Sequence, residues 1–132
     1  DAYQALYRLA GVDHLHVHGV DGKFSDAAEE VESAARRCLA PLAFDAVGAT
    51  DAVLPAFSSG QWAGTLPRTA QAAGSQDFLF MAGGGILAHP GGPAAGVRSL
   101  RQAWEAVSSG ETLERAAARH RDLAAALDFF GA

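Results

Sequence analysis

The segment "DHLHVHGVDGK" sets three histidines, His14, His16 and His18, on alternate positions and follows them with Gly22 and Lys23. Their alternation with Leu15 and Val17 has the period of a β-strand, which places all three imidazoles on one face. Such a set could bind a metal, move a proton or hydrogen-bond an anion. Geometry restricts the first role: residues i and i+2 on a strand lie about 6.6 Å apart and the outer pair roughly twice that. One strand therefore offers two ligands to a zinc ion, and a third would have to come from Asp21 or His89. The preferred expectation contains no metal ligand: His14 is buried and hydrogen-bonded within the strand, while His16, nearer its end, faces a ligand. Lys23 is the only lysine of the chain. In a polar loop it can swing over a ligand and pair with a carboxylate or phosphate as a mobile point charge; the plain alternative is a solvated surface lysine.

Two further clusters could do chemistry. The run Gly83, Gly84, Gly85 reads as a tight loop whose successive main-chain N–H groups can form an anion-binding concavity that suits a phosphate. It is neither a GxGxxG fingerprint nor a P-loop. Ser58, Ser59 and Gly60 end a strand, in position to hydrogen-bond a sugar hydroxyl or a phosphate, but "AFSSG" is not the GxSxG elbow of a serine nucleophile. His89, in "AHPGGP", reads as structural, and Trp62 and Trp104 as packing residues. Asp13 and Asp21 form no evident acid/base pair.

The elements that must position these groups alternate strand and helix. "DAYQALYRLAG" places Tyr3, Leu6 and Leu9 or Ala10 at helical spacing with Gly11 as a stop. After "VDHLHVH", Ser25 or Asp26 can cap a helix through "AAEEVESAARRCLA" with the apolar stripe Ala28, Val31, Ala35, Cys38 and Leu39. "AVLPAFSSG" predicts the second strand, and Pro67 makes the helix after it late or irregular. "DFLFMAGGG" predicts a third strand, apolar on both faces as a helix-covered parallel strand would be. Two closing helices are expected: one from Pro93 with Val97, Leu100, Trp104 and Val107 inward, and one over "TLERAAARHRDLAAAL" with Leu113, Ala117, Leu123 and Leu127 inward. This is βαβαβα, an α/β arrangement whose ligand lies beyond the C-terminal ends of its strands. Those ends read "HVHGVDGK", "FSSGQW" and "AGGGILAHP", so three loops converge on one candidate site.

Composition narrows the partners. With 132 residues and a net charge of −5, a general nucleic-acid or membrane-surface role is disfavoured, because both depend on clustered Lys and Arg. A single cysteine, Cys38, allows no internal disulfide and fits a reducing compartment, so a cytoplasmic location is expected. No apolar run has the length of a membrane span.

Taken together, "YRLAGVDHLHVHGVDGKF", "LPAFSSGQW" and "FLFMAGGGILAHPGGPAAGVRSLRQAWEA" resemble, in order and spacing, the last three βα units of the RuBisCO large-chain family, over nearly the whole chain. The resemblance implies that residues 1–132 are the C-terminal segment of a (β/α)8 TIM-barrel domain, with extra C-terminal helices. It further implies that Lys23 closes over substrate, that His16 lies near one phosphate with His14 beside the site, that Ser58 contacts substrate hydroxyls, and that Gly60, Gly83 and Gly84 donate to the other phosphate. It also implies a magnesium cofactor, whose ligands and carbamylated lysine belong to earlier strands than those here, and a homodimer or higher homo-oligomer. Where carboxylating members carry Gly-Gly after the strand-seven serine, this chain has Ser59-Gly60, and "SSGQWAG" is closer to the RuBisCO-like proteins. The expected function is enediolate chemistry, by isomerisation, enolisation or transcarboxylation/hydrolysis, on a ketose phosphate or an oxidised branched-sugar phosphate such as 3-oxo-isoapionate 4-phosphate. Three alternatives stay open: a fragment of a true ribulose-bisphosphate carboxylase, a stand-alone phosphate-binding or oligomerising module, and a zinc hydrolase built on the histidine strand.

Overall fold

The alternating histidine segment forms strand β1 (His14–His18) of a three-stranded parallel sheet in the computed structural model, which describes residues 2–20, 27–42, 45–46 and 49–131. The chain runs α1 (Ala2–Leu9), β1, α2 (Ala28–Leu39), β2 (Asp45–Ala46), β3 (Ala49–Thr50), β4 (Leu54–Ser58), a 3-10 turn (Ala63–Thr65), α3 (Leu66–Ala73), β5 (Leu79–Phe80), α4 (Gly83–Leu87), α5 (Pro93–Ser109), α6 (Leu113–Ala117) and α7 (Arg121–Phe130). Strand order is β1-β4-β5; β2 and β3 make a separate antiparallel pair that the sequence reading did not foresee. Among the described residues, no helix is long and apolar enough to cross a membrane.

Register assigns the two faces. His16 stands beside Ala56, which stands beside Leu79; Val17, Phe57 and Phe80 are likewise neighbours. Leu15, Val17 and Phe57 enter the core with Val31, Ala35 and Cys38 of α2, Leu66 and Ala72 of α3 and Ala103 and Ala106 of α5. Phe78 meets Phe57 and Trp104 edge-on at centroid distances of 5.6 and 5.5 Å. The opposite face carries His14, His16 and His18 and leaves Leu54, Leu79 and Met81 exposed. The third strand is thus only two residues long and helix-covered on one face, not two.

The buried residues of α1 are Gln4 and Arg8, while Tyr3, Leu6 and Leu9 are exposed. Two helical expectations need correction. Of the large side chains expected inside α5, Leu100, Trp104 and Val107 pack partly buried against the core, but Val97 is exposed and the fully buried positions are Ala95, Gly96, Ser99, Ala103 and Ala106. A methyl at Gly96 would stand 2.5 Å from the Ile86 carbonyl oxygen, so α5 crosses α4 closely and small residues must line that crossing. The final helix is two, α6 and α7. Arg119 and His120 bond back to Ala116 and Ala117 in a tightened last turn, and Arg119 reaches both carboxylate oxygens of Glu111 at 2.8 and 2.7 Å.

Candidate functional site at the strand ends

His18 and Ser58 are in register at the C-terminal ends of β1 and β4, so the spacing that put the histidines on one face also brings them beside the serine-glycine turn. Ser58 is buried, and its Oγ lies 3.5 Å from Nδ1 of His16, at the outer limit of a hydrogen bond. Contrary to expectation, His14 is exposed on the same open face as His16 and His18. A strand whose inward positions are Leu15 and Val17 has to present all three imidazoles on the other side. Among the described residues, no three His, Cys, Asp or Glu are grouped to hold a metal ion, so these residues do not supply a site for magnesium or zinc. Lys23, Gly22 and Asp21 lie outside the described residues, as do the expected helix caps Ser25 and Asp26.

The turn after β4 is conformationally unusual. Ser59 has φ 70° and Gly60 φ 71°, two successive left-handed residues. Glycine adopts this region freely, whereas an L-residue pays for its Cβ. Ser59→Gly should therefore raise stability, by up to about 1 kcal/mol, as read from the urea midpoint. An unchanged or lowered midpoint would show that the serine hydroxyl repays the strain within the fold.

The glycine run is not a loop. Gly83, Gly84 and Gly85 form the first turn of the five-residue α4, following β5 directly. First-turn amides have no acceptor within their own helix, so these N–H groups remain available to a ligand, as the loop reading required, but through a helix start. The three glycines differ in purpose. A Cβ at Gly83 or Gly84 would meet nothing within 4 Å, whereas one at Gly85 would sit 2.7 Å from the Cα of Trp62. Gly83 and Gly84 leave open space on the candidate ligand side, and Gly85 is a packing glycine.

His89 is buried and structural, as expected: it accepts from the Gly91 N–H at Nδ1 (3.0 Å), which puts its proton on Nε2, and this donates to the Asp122 carbonyl (2.9 Å). It ties the α4–α5 turn to the start of α7. Beside it, Arg98 bonds the Asp122 carboxylate at 2.5 Å and holds its pKa below the ordinary value. A lowered carboxylate pKa contributes stability above the ordinary carboxylate range, and that contribution is lost as pH falls through the folded-state value.

Sequence reasoning missed Gln61. It is almost fully buried, donates from Nε2 to the Ser59 carbonyl (2.9 Å) and accepts at Oε1 from Thr65 and Thr69 (3.0 and 3.2 Å). The available signal was a glutamine just beyond a strand with threonines four and eight residues on, but nothing in that pattern states burial.

The family model "Ribulose bisphosphate carboxylase large chain, catalytic domain" matches residues 1–130. The chain is 49% identical over 129 residues to a 3-oxo-isoapionate-4-phosphate transcarboxylase/hydrolase of Xanthobacter autotrophicus and 43% identical over 129 residues to a 3-oxo-isoapionate-4-phosphate decarboxylase of Rhizobium etli. Each alignment takes in 97% of this chain and 30% of the relative, so the chain spans about a third of its relatives' length. Among solved structures, a rubisco-like protein from Burkholderia fungorum superposes with a TM-score of 0.90 at 59% identity, over 96% of this chain and 31% of the other. A dimeric archaeal Rubisco from Hyperthermus butylicus superposes with a TM-score of 0.79 at 36% identity, over 98% and 32%. The three-stranded parallel sheet and its helices thus match the C-terminal part of a rubisco-like barrel.

Proposed function

The chain belongs to the ribulose bisphosphate carboxylase large-chain family, and from that premise we propose that it forms the phosphate-binding side of the active site of a RuBisCO-like enzyme that turns over a sugar phosphate through an enediolate. The observation that carries this reading is the meeting of His16, Ser58 and the Ser59-Gly60 turn with a helix start made of glycine, all at strand ends on the open face of the sheet. Such a surface offers hydroxyl, imidazole and amide donors, the donor set that suits an anionic substrate and a developing oxyanion.

In this reading Gly60, Gly83 and Gly84 donate backbone N–H groups to the phosphate, and Ser58 and Ser59 bind substrate hydroxyls. His16, oriented by Ser58, stays within reach of the reacting oxygens with His14 beside it. Lys23 pairs with the negative charge of the bound substrate. Two of the relatives carry names that support an oxidised branched-sugar phosphate as substrate, namely 3-oxo-isoapionate 4-phosphate, losing or transferring its carboxylate. The Ser59-Gly60 sequence in place of Gly-Gly supports the same branch over carboxylation of ribulose bisphosphate. Magnesium, if the complete protein uses it, is held by residues other than those described, and assembly as a homodimer is proposed from the dimeric relative.

The test is an assay of the complete protein with 3-oxo-isoapionate 4-phosphate and, separately, with ribulose 1,5-bisphosphate and CO2. Carbon dioxide or its hydrolytic equivalent released from the first, with no carboxylation of the second, is expected. Carboxylation of the second would reverse the preference, and turnover of neither would remove the sugar-phosphate reading. In the same assay Lys23→Ala should lower turnover about 10²- to 10³-fold with the melting midpoint nearly unmoved; equal losses in both would contradict its role at the substrate.

A further inference from the structure

We propose that Gln61 is a positioning residue of this site, holding the end of β4 against Gly19 at the end of β1 so that the Gly60 amide meets the phosphate of the substrate. The inference rests on the function proposed above. Its basis is the set of contacts that the Gln61 side chain makes. The Gln61 amide donates to the carbonyl of Ser59, the residue held at positive φ, and thereby braces the left-handed pair. That same amide nitrogen packs on the Cα of Gly19, the first residue beyond β1, so closely that any Cβ there would collide with it and with the Ser58 and Ser59 carbonyl oxygens. Val20 beside it is buried, which anchors the chain just beyond β1.

The other end of Gln61 is fixed as well. Its Oε1 accepts from the Thr65 and Thr69 hydroxyls at the start of α3, and the next residue, Trp62, lies against Gly85 of α4 and Phe130 of α7. The Gln61-Trp62 pair therefore touches the beginnings of all three strand-end connections. Gln61 itself lies beneath the ligand surface, which is why it acts through Ser59 and Gly60 and not on the substrate.

The substitution that isolates this role is Gln61→Met, similar in length and apolar. Both threonine hydroxyls keep an acceptor, since Thr65 Oγ1 also donates to the Trp62 carbonyl and Thr69 Oγ1 to the Thr65 carbonyl. The Ser59 carbonyl is the group that loses its donor. Two readouts on the complete protein decide the matter: the dissociation constant for inorganic phosphate by calorimetry, and amide hydrogen exchange at Gly19, Ser59 and Gly60. Gln61→Met should weaken phosphate binding about tenfold and speed exchange at those three amides while leaving Gly83 and Gly84 unchanged. Adding Ser59→Gly, which needs no brace to stay left-handed, should restore most of the binding; a merely structural glutamine predicts no such rescue. Unchanged exchange at the three amides overturns the proposal, as does weakened binding that Ser59→Gly fails to restore. If the parent protein binds no phosphate, the functional reading falls, and exchange at the three amides alone still upholds or overturns the bracing by Gln61.

Discussion

Arg8→Met should cost about 3–5 kcal/mol of stability, the scale for stranding partners of a buried charged group, whereas Arg68→Met should cost no more than about 1 kcal/mol. Arg8 is 5% exposed, and its guanidinium donates to the carbonyls of Arg37 and Ala40 at 2.6 Å each and of Asp51 at 2.8 Å, with the Asp51 carboxylate at 3.3 Å. The first two carbonyls belong to the last turn and cap of α2, where a helix leaves acceptors unsatisfied and a cation is favoured. Asp51 lies in the segment entering β4. One side chain thus joins three elements, and methionine would fill its volume but take the guanidinium donor away from the part-buried Arg37, Ala40 and Asp51 carbonyls. Arg68, by contrast, meets Glu32 at 3.2 Å on a half-open surface. Urea denaturation of both variants measures the difference; similar small losses would mean that water replaces the guanidinium and that α1 is not held to α2 through Arg8.

The same residue shows where sequence reading stops. Periodicity located α1 and its stop at Gly11 from the spacing of Tyr3, Leu6 and Leu9, but spacing alone does not say which side of the helix is buried. What turns the helix over is a set of main-chain acceptors on α2, and no pattern within α1 announces them. For β1 the reverse held. Strand period alone put three histidines on one face, because the alternation is covalent and independent of context. The split between α6 and α7 was illegible for another reason: no Gly or Pro interrupts residues 113–130, and the break depends on Arg119 folding back onto Glu111. At the candidate site, Ser58 and the Ser59-Gly60 turn were placed at a strand end from residue type, whereas the glycine run, read as a loop, begins a helix. Gln61 was missed, since burial of a glutamine follows from the hydroxyls and the carbonyl gathered around it.

The glycine run permits a second large effect to be separated by position. Gly85→Ala should destabilise the protein by about 1–3 kcal/mol, the usual range for forcing an extra carbon into a packed site. The added methyl would stand 2.7 Å from the Cα and Cβ of Trp62 and 2.8 Å from the Gln61 carbonyl, and none of these atoms can rotate away. The Trp62 ring is itself confined, with Phe130 at a centroid distance of 5.3 Å. Relief must come from moving α4, so phosphate binding should fall with stability. Gly83→Ala and Gly84→Ala should behave in the opposite way. Their Cβ atoms enter open space, and alanine is favoured over glycine in a helix by about 0.5–1 kcal/mol, so stability should hold or rise. Phosphate affinity should nevertheless drop about tenfold or more if a ligand lies against that backbone, since a methyl would keep its oxygens beyond hydrogen-bond reach. Melting and phosphate titration of the three variants test both halves. If Gly83→Ala and Gly84→Ala leave phosphate affinity untouched, the ligand does not approach α4 at its first turn, and the anion must be bound from the Ser59-Gly60 side alone.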